Sequence, residues 1–182
     1  TRESAGAQIA FMNRGGIRAP LNFTDDGAIT YGELFTVQPF SNTLVTMTLT
    51  GAQIKTLLEQ QFKGCALDFP PGKAASQSDN RVLQVSAGFA YSFNPAGPAC
   101  SKVDAESLQL DGKRIAPDEK YRVTVNSFLA DGGDSMYELT RGTDRVVGPN
   151  DVDALADYFA AHPQISPSPM SRIKLAAASA AH

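Results

Sequence analysis

Apolar positions along the chain fall into short runs with either two-residue or helical spacing, separated by glycine, proline and polar clusters. In AQIAFMN, Ile9 and Phe11 among small residues predict a buried strand that runs into the glycine turn Gly15-Gly16. ITYGELFTVQPF predicts a short strand and a turn of helix before Pro39. NTLVTMTLT alternates Leu44, Thr46 and Thr48 against Val45, Met47 and Leu49, the two-face pattern of a strand, and Gly51 stops it. In GAQIKTLLEQQFKG, Ile54, Leu57, Leu58 and Phe62 recur at helical spacing between Gly51 and Gly64, which makes this the clearest helix and its stripe a core stripe. Residues 65–80, rich in Pro, Gly, Ser and Asp, predict a long loop. VLQVSAGFAYSFNP resumes the strand pattern. SLQLDGKRIAPDEKYRVTVNSFLA predicts a strand, a hairpin turn at Asp111-Gly112, a second short strand and a third strand ending near Asn126. Arg141, Asp144 and Arg145 read as a solvated turn. DVDALADYFAAH predicts a second helix with Asp151 as N-cap and Leu155, Tyr158 and Phe159 on its apolar face, and SRIKLA a last strand. Roughly five to seven strands and two or three helices that do not alternate regularly point to an α+β fold rather than a doubly wound sheet. No repeat of fixed period is present.

Composition narrows the function classes. A chain of 182 residues, 42% hydrophobic and 19% charged, can bury one substantial core, and residues 1–175 are expected to form a single domain followed by a disordered tail, 176–182. A formal net charge of −3 offers no broad attraction for a phosphate backbone, so nucleic acid is not an expected partner and any phosphate contact must be local. No apolar run approaches the roughly 20 residues that cross a bilayer, so no membrane partner is expected either. TRESAGAQIA lacks the order of a signal peptide, and removal of a signal is compatible with it. Cys65 and Cys100 stand far apart, unlike the close pairs of zinc ribbons and thioredoxin-type sites. Their loop-like flanks suit a disulfide in an oxidising compartment, and two free buried thiols are the other reading. With His162 and His182 as its only histidines, the chain holds no histidine cluster for a metal centre.

Three segments could carry binding chemistry. NRGGIR, Asn13 to Arg18, follows a buried strand; paired glycines let the backbone turn close to a ligand, while Asn13 and Arg18 offer an amide and a fixed fork of donors. It lacks the lysine and hydroxyl residue of a P-loop, and a glycine turn beside a solvated arginine is its commoner meaning. At Pro39-Phe40 the proline removes a backbone donor, so strand pairing stops and a phenylalanine can be left at a cleft, although most phenylalanines are core. In NSFLADGGD, Asp134 could accept from a pair of ribose hydroxyls and Phe128 could pack on a planar ring, or the segment is only a turn.

In order and spacing, NRGGIRAP, GAITYGELFTVQPFSNTLVTMTLTGAQIKTLLE, LQVSAGFAYSFN and YRVTVNSFLADGGDSMYEL resemble the signature segments of the 5′-nucleotidase C-terminal domain, over about residues 7 to 175. The resemblance implies layered sheets covered by helices. It also implies a two-domain parent in which an N-terminal calcineurin-like metallophosphoesterase domain, with two divalent metal ions, hydrolyses nucleotides. This chain would then hold the nucleoside and by itself be catalytically silent, with no cofactor or catalytic residue of its own. On that resemblance Phe40 and Phe128 sandwich the base, Asn13 contacts the base, Arg18 the phosphate and Asp134 the ribose hydroxyls. The strand around Ser86, Ala87 and Gly88 borders the base pocket. The expected partners are a nucleoside or nucleotide and the N-terminal domain of the same polypeptide, and the expected location is periplasmic or secreted. Two departures stand out. Arg14 occupies a position where the family has a small residue, which puts an extra positive charge at the pocket rim. The family's opening helix, with its Glu–Asn–Gly–Asn pattern and a phosphate-facing arginine before it, is not seen, so a late start and weakened affinity are expected. A stand-alone nucleoside-binding module and a structural or interaction domain are the other classes considered.

Overall fold

The computed structural model describes residues 5–21, 27–79, 81–162, 164–166 and 170–176. Its frame is a five-stranded mixed sheet built on the alternating segments. Strand β1 (Ile9–Met12) runs parallel to β7 (Lys120–Asn126), and β7 pairs antiparallel with β2 (Thr43–Thr50). The edges are β3 (Gln84–Val85) beside β1 and β8 (Thr143–Asn150) beside β2. Because the pleat has period two, the register Val45↔Val125, Met47↔Val123 and Leu49↔Tyr121 sends one apolar set to the core. Leu44, Thr46 and Thr48 stand opposite Asn126, Thr124 and Arg122 on the other face.

The core face meets helix α2 (Gly51–Gln60) and a second, four-stranded sheet in the order β6-β5-β4-β9, made of Lys113–Arg114, Gln109–Leu110, Phe89–Phe93 and Ile173–Leu175. Ile54, Leu57 and Leu58 of α2 are fully buried against Met47, Leu49, Val123, Phe89 and Tyr91. Each such side chain contributes about 1.5–3 kcal/mol of hydrophobic stabilisation. The carboxylate of Glu59, on the same helix, accepts from the backbone N–H groups of Lys102 and Val103 and thereby ties α2 to the segment that follows β4. Helix α1 (Tyr31–Val37) packs against α4 (Asp151–Ala161), and α4 lies over the opposite face of the five-stranded sheet. The result is the expected α+β architecture of sheets covered by helices. No helix among the described residues is long and apolar enough to cross a membrane.

Several expectations are corrected. ITYGELFTVQPF holds no strand: Thr30 and Glu33 form a reciprocal capping box that starts α1 directly. The N-cap of α4 is Asn150, and Asp151 is its first residue. The run read as one strand after residue 81 is divided between the two sheets. Gly88, in the left-handed region at φ 87°, turns the chain from β3 into β4. Among the described residues nine strands form, more than expected, because two-residue strands are too short for alternation to reveal. Asp144 and Arg145 lie in β8 rather than in a turn: the Arg145 guanidinium donates to the Ala130 carbonyl at 3.1 Å and approaches Asp131 at 3.3 Å. Arg141 pairs with Glu138 at 3.1 Å and Asp68 at 3.5 Å. Of the two readings of the cysteines, the bonded one holds: Cys65 and Cys100 form a disulfide with Cα atoms 4.9 Å apart. In the expected tail, the Ala176 N–H extends β9 by donating to the Phe93 carbonyl at 2.8 Å, while residues 177–182, His182 included, lie outside the described residues.

Two buried carboxyls give the fold a pH signature. Burial raises the Glu138 carboxyl above its ordinary value, against donation from Gln53 and the charge of Arg141, while Asp68 adds to the rise. Burial likewise raises Asp151, opposed by the Val152 N–H and Asn42 and aided by Asp153. A raised folded pKa means that the native state holds its proton more tightly than the unfolded chain, so this contribution to stability falls as pH rises from the ordinary carboxylate range through the raised value. Glu138→Gln is therefore expected to gain stability relative to the parent over the pH range upward from the ordinary carboxylate value. Urea midpoints measured across that range check it, and a difference independent of pH contradicts it.

Candidate functional site

The antiparallel and parallel pairings bring four segments to one end of the five-stranded sheet. Because β1 and β7 are parallel, Asn13 leaves the end of β1 beside the point where Ser127 leaves β7. Because β2 is antiparallel to β7, Phe40 lies just before β2 at that same end, and Arg81 lies just before β3, which is antiparallel to β1. Ser127 Oγ donates to Asn42 Oδ1 at 3.2 Å and so joins the segment carrying Phe128 to the one carrying Phe40.

The two phenylalanines differ from those of the core in their surroundings, and Phe35, on α1, is exposed as well. Phe11, Phe62, Phe89 and Phe93 are core residues, whereas Phe40 is 51% and Phe128 48% exposed. The core reading open to both at the level of sequence therefore does not apply. The Arg18 guanidinium lies over the Phe40 ring, 5.5 Å from its centroid, and its backbone N–H donates to the Val37 carbonyl at 2.9 Å, which ties the NRGGIR turn to the end of α1. Phe128 is the second residue of α3 (Ser127–Ala130), a single turn capped by Asn126, whose Oδ1 accepts from the Leu129 N–H at 2.9 Å. Behind it the loop presses on the ring: a Cβ at Gly133 would stand 2.5 Å from Phe128 Cε1 and 2.5 Å from its carbonyl oxygen, so only glycine fits there.

Asn13 is 6% exposed and sits at the hub of an amide relay. Its Nδ2 donates to Asp134 Oδ2 at 3.0 Å, and its Oδ1 accepts from Asn126 Nδ2 at 2.9 Å. One donor hydrogen and one lone pair of the Asn13 amide remain for a ligand. Its neighbour Gly16 is needed because a Cβ there would stand 2.8 Å from Asn13 Oδ1 and 2.6 Å from Met12 Cε. Asp134 adopts a left-handed backbone, φ 55° and ψ 21°, a conformation uncommon outside glycine that aspartate tolerates better than most residues. Its other oxygen, Oδ1, lies 3.8 Å from the Arg81 guanidinium.

Asn13, Arg18, Phe40, Phe128 and Asp134 thus gather at one end of the sheet. Gly88 does not: it lies beyond the far end of β3, where its carbonyl accepts from the Asp111 N–H at 2.8 Å. Ser86 and Ala87 instead line a cleft of about 670 Å³ between α4 and the outer face of the sheet. Sequence reasoning missed Asn126 and Arg81. Asn126 was recoverable in principle, since an asparagine at a strand end before SFLA fits an N-cap. Arg81 carries no local signal. Among the described residues, no group of three or more His, Cys, Asp or Glu side chains comes together in a way that could hold a metal ion.

A sequence model described as "5′-nucleotidase, C-terminal domain" matches residues 1–141. The trifunctional nucleotide phosphoesterase protein YfkN of Bacillus subtilis is 38% identical over 145 residues, covering 78% of this chain and 9% of that protein. The 5′-nucleotidase of Vibrio vulnificus is 33% identical over 138 residues, covering 76% of this chain and 21% of that protein. The crystal structure of a 5′-nucleotidase precursor from Thermus thermophilus superposes with a TM-score of 0.73 at 34% identity, covering 96% of this chain and 32% of that one. This chain therefore spans a third or less of each of these relatives. With the match running through all four gathered segments, the chain belongs to the 5′-nucleotidase C-terminal domain family.

Proposed function

We propose that this chain binds the nucleoside part of a nucleotide and serves as the specificity domain of a 5′-nucleotidase-type phosphoesterase. The observation that carries this reading is the pair of half-exposed rings, Phe40 and Phe128, at one sheet end beside a buried amide and a carboxylate. Every nucleobase offers a π-face, and stacking on an aromatic side chain is worth about 1–3 kcal/mol per base. In the proposed complex the base enters between the two rings, Asn13 offers its remaining donor to the base edge, and Asp134, held by Asn13, accepts from the ribose hydroxyls. Arg18 faces the phosphate.

Among the described residues the donors do not fit the metal ions implied by the family, and no step here depends on them. They belong, on this proposal, to an N-terminal phosphoesterase domain that activates water and cleaves the ester. This domain contributes orientation, which lowers the entropic part of the barrier. The Cys65–Cys100 disulfide supports a periplasmic or secreted location, where such bonds persist.

The ribose contact gives a test that core packing would not pass. Adenosine is expected to bind about 10-fold more tightly than 2′,3′-dideoxyadenosine, the scale of a hydrogen bond to a charged acceptor, and Asp134→Ala is expected to remove that difference. Calorimetric titration of both ligands into both proteins reads it. Equal affinities in the parent chain would remove Asp134 from the ribose site.

A further inference from the structure

The NRGGIR turn carries two guanidinium groups, and only Arg18 has a role in the reading above. Arg14 opens the short helical turn Arg14–Gly16, whose backbone is held by Gly16 N–H to the Asn13 carbonyl at 3.0 Å and Ile17 N–H to the Arg14 carbonyl at 3.2 Å. Arg14 and Arg18 together line two clefts. One, of about 460 Å³, also contains Arg81 and Asp134; the other, of about 560 Å³, also contains Asp79 and Val82. Both carboxylates are already engaged, Asp134 by Asn13 and Arg81, and Asp79 by the Lys63 N–H at 3.1 Å. The first cleft thus has three guanidiniums against one committed carboxylate, on a chain whose net charge is −3. Among the described residues neither Arg14 nor Arg18 is paired with a carboxylate.

We propose that Arg14 makes this a site for two phosphoryl groups, so that the preferred ligand is a nucleotide whose 5′-oxygen carries a diphosphate. A guanidinium recognises a phosphoryl group through a planar fork of donors, and one fork satisfies one group. Two forks on a single rigid turn, each facing both clefts, match two linked phosphoryl groups better than one. Arg81 adds positive potential on the Asp134 side. Naming the ligand a nucleotide rests on the nucleoside reading above; the two-phosphoryl site itself rests on the arginines.

The test titrates the chain and its R14A and R14K variants with pyrophosphate, orthophosphate, AMP and ADP, with adenosine as a separate arm on the parent chain. Pyrophosphate is expected to bind the parent about 10-fold more tightly than orthophosphate, and ADP to exceed AMP by a similar factor. R14A is expected to bring each pair within roughly 2-fold, and R14K, a point charge without the fork, to keep part of the difference. Arg14 is exposed, so both variants should melt with the parent. Equal binding of pyrophosphate and orthophosphate by the parent overturns the proposal, as does an R14A variant that weakens both by the same factor. Arg14-dependent discrimination without adenosine binding would uphold the two-phosphoryl site and sink the nucleoside reading. Adenosine binding without discrimination would do the reverse.

Discussion

Asn126→Ala is expected to cost about 2–4 kcal/mol of stability, a large effect for a residue at the end of a strand. Asn126 is 2% exposed, and both ends of its amide are committed. Oδ1 caps α3 through the Leu129 N–H, and loss of such a cap is worth about 1 kcal/mol. Nδ2 donates to Asn13 Oδ1, and leaving that buried acceptor without this partner costs about 1–3 kcal/mol more. The same substitution reaches the site by two routes. It loosens the turn that presents Phe128, and it frees Asn13, which holds Asp134. Nucleoside affinity should therefore fall along with stability, although Asn126 touches no ligand in the proposed complex; it is a positioning residue. Asn126→Ser separates the two routes: its hydroxyl keeps an N-cap acceptor for the Leu129 N–H, is neutral, and removes the amide donor to Asn13. The serine should retain more stability than the alanine yet lose comparable affinity. Urea unfolding beside adenosine titration checks both, and an alanine variant within about 0.5 kcal/mol of the parent would contradict the relay.

How far the sequence reached depends on what kind of signal each feature leaves. β2, β7, α2 and α4 were legible because each carries one apolar face and so prints a period of two or 3.6 over eight or more residues, or nearly so. β8 was not. All eight of its residues are exposed at the sheet edge, and a strand with no buried face prints no alternation, so TDRVVGPN gave no strand signal and its charges Asp144 and Arg145 read as part of a turn. α1 was read only in part, as a turn of helix after a short strand, because a run of Leu, Phe, Thr and Val is equally compatible with a strand, and what decides it is the Thr30–Glu33 capping box. The division of residues 81–93 between two sheets depends on partners distant in the chain, β1 for one half and β9 for the other. The gathered residues were named through resemblance, whereas their arrangement came from pairing. The parallel neighbours β1 and β7 bring Asn13 and Phe128 to one end and leave Gly88 near the other. Exposure of Phe40 and Phe128 could not be read from residue type, because most phenylalanines are core. Arg81 entered only through its distance to Asp134.

The central claim is that a base is held between Phe40 and Phe128, and the double substitution Phe40→Ala/Phe128→Ala is expected to produce the largest loss of binding. Each ring is about half exposed, so truncation leaves no closed cavity in the core, and the fold should survive with a small change in melting temperature. Each stacking face contributes about 1–3 kcal/mol, which gives roughly 10-fold per ring and on the order of 100-fold for both, with some departure from additivity because the rings share one ligand. Phe40→Ala also removes the surface on which the Arg18 guanidinium rests, so its effect on AMP should exceed its effect on adenosine. Phe128→Ala removes the ring that packs on Gly133, and its effect should be the same for both ligands. The decisive measurement is calorimetric titration of adenosine into the parent chain, the two single variants and the double variant. Saturable binding to the parent, weakened about 10-fold by each substitution and lost over the same concentration range in a folded double variant, is the predicted result. Adenosine binding of equal strength in the parent and the folded double variant would contradict the account.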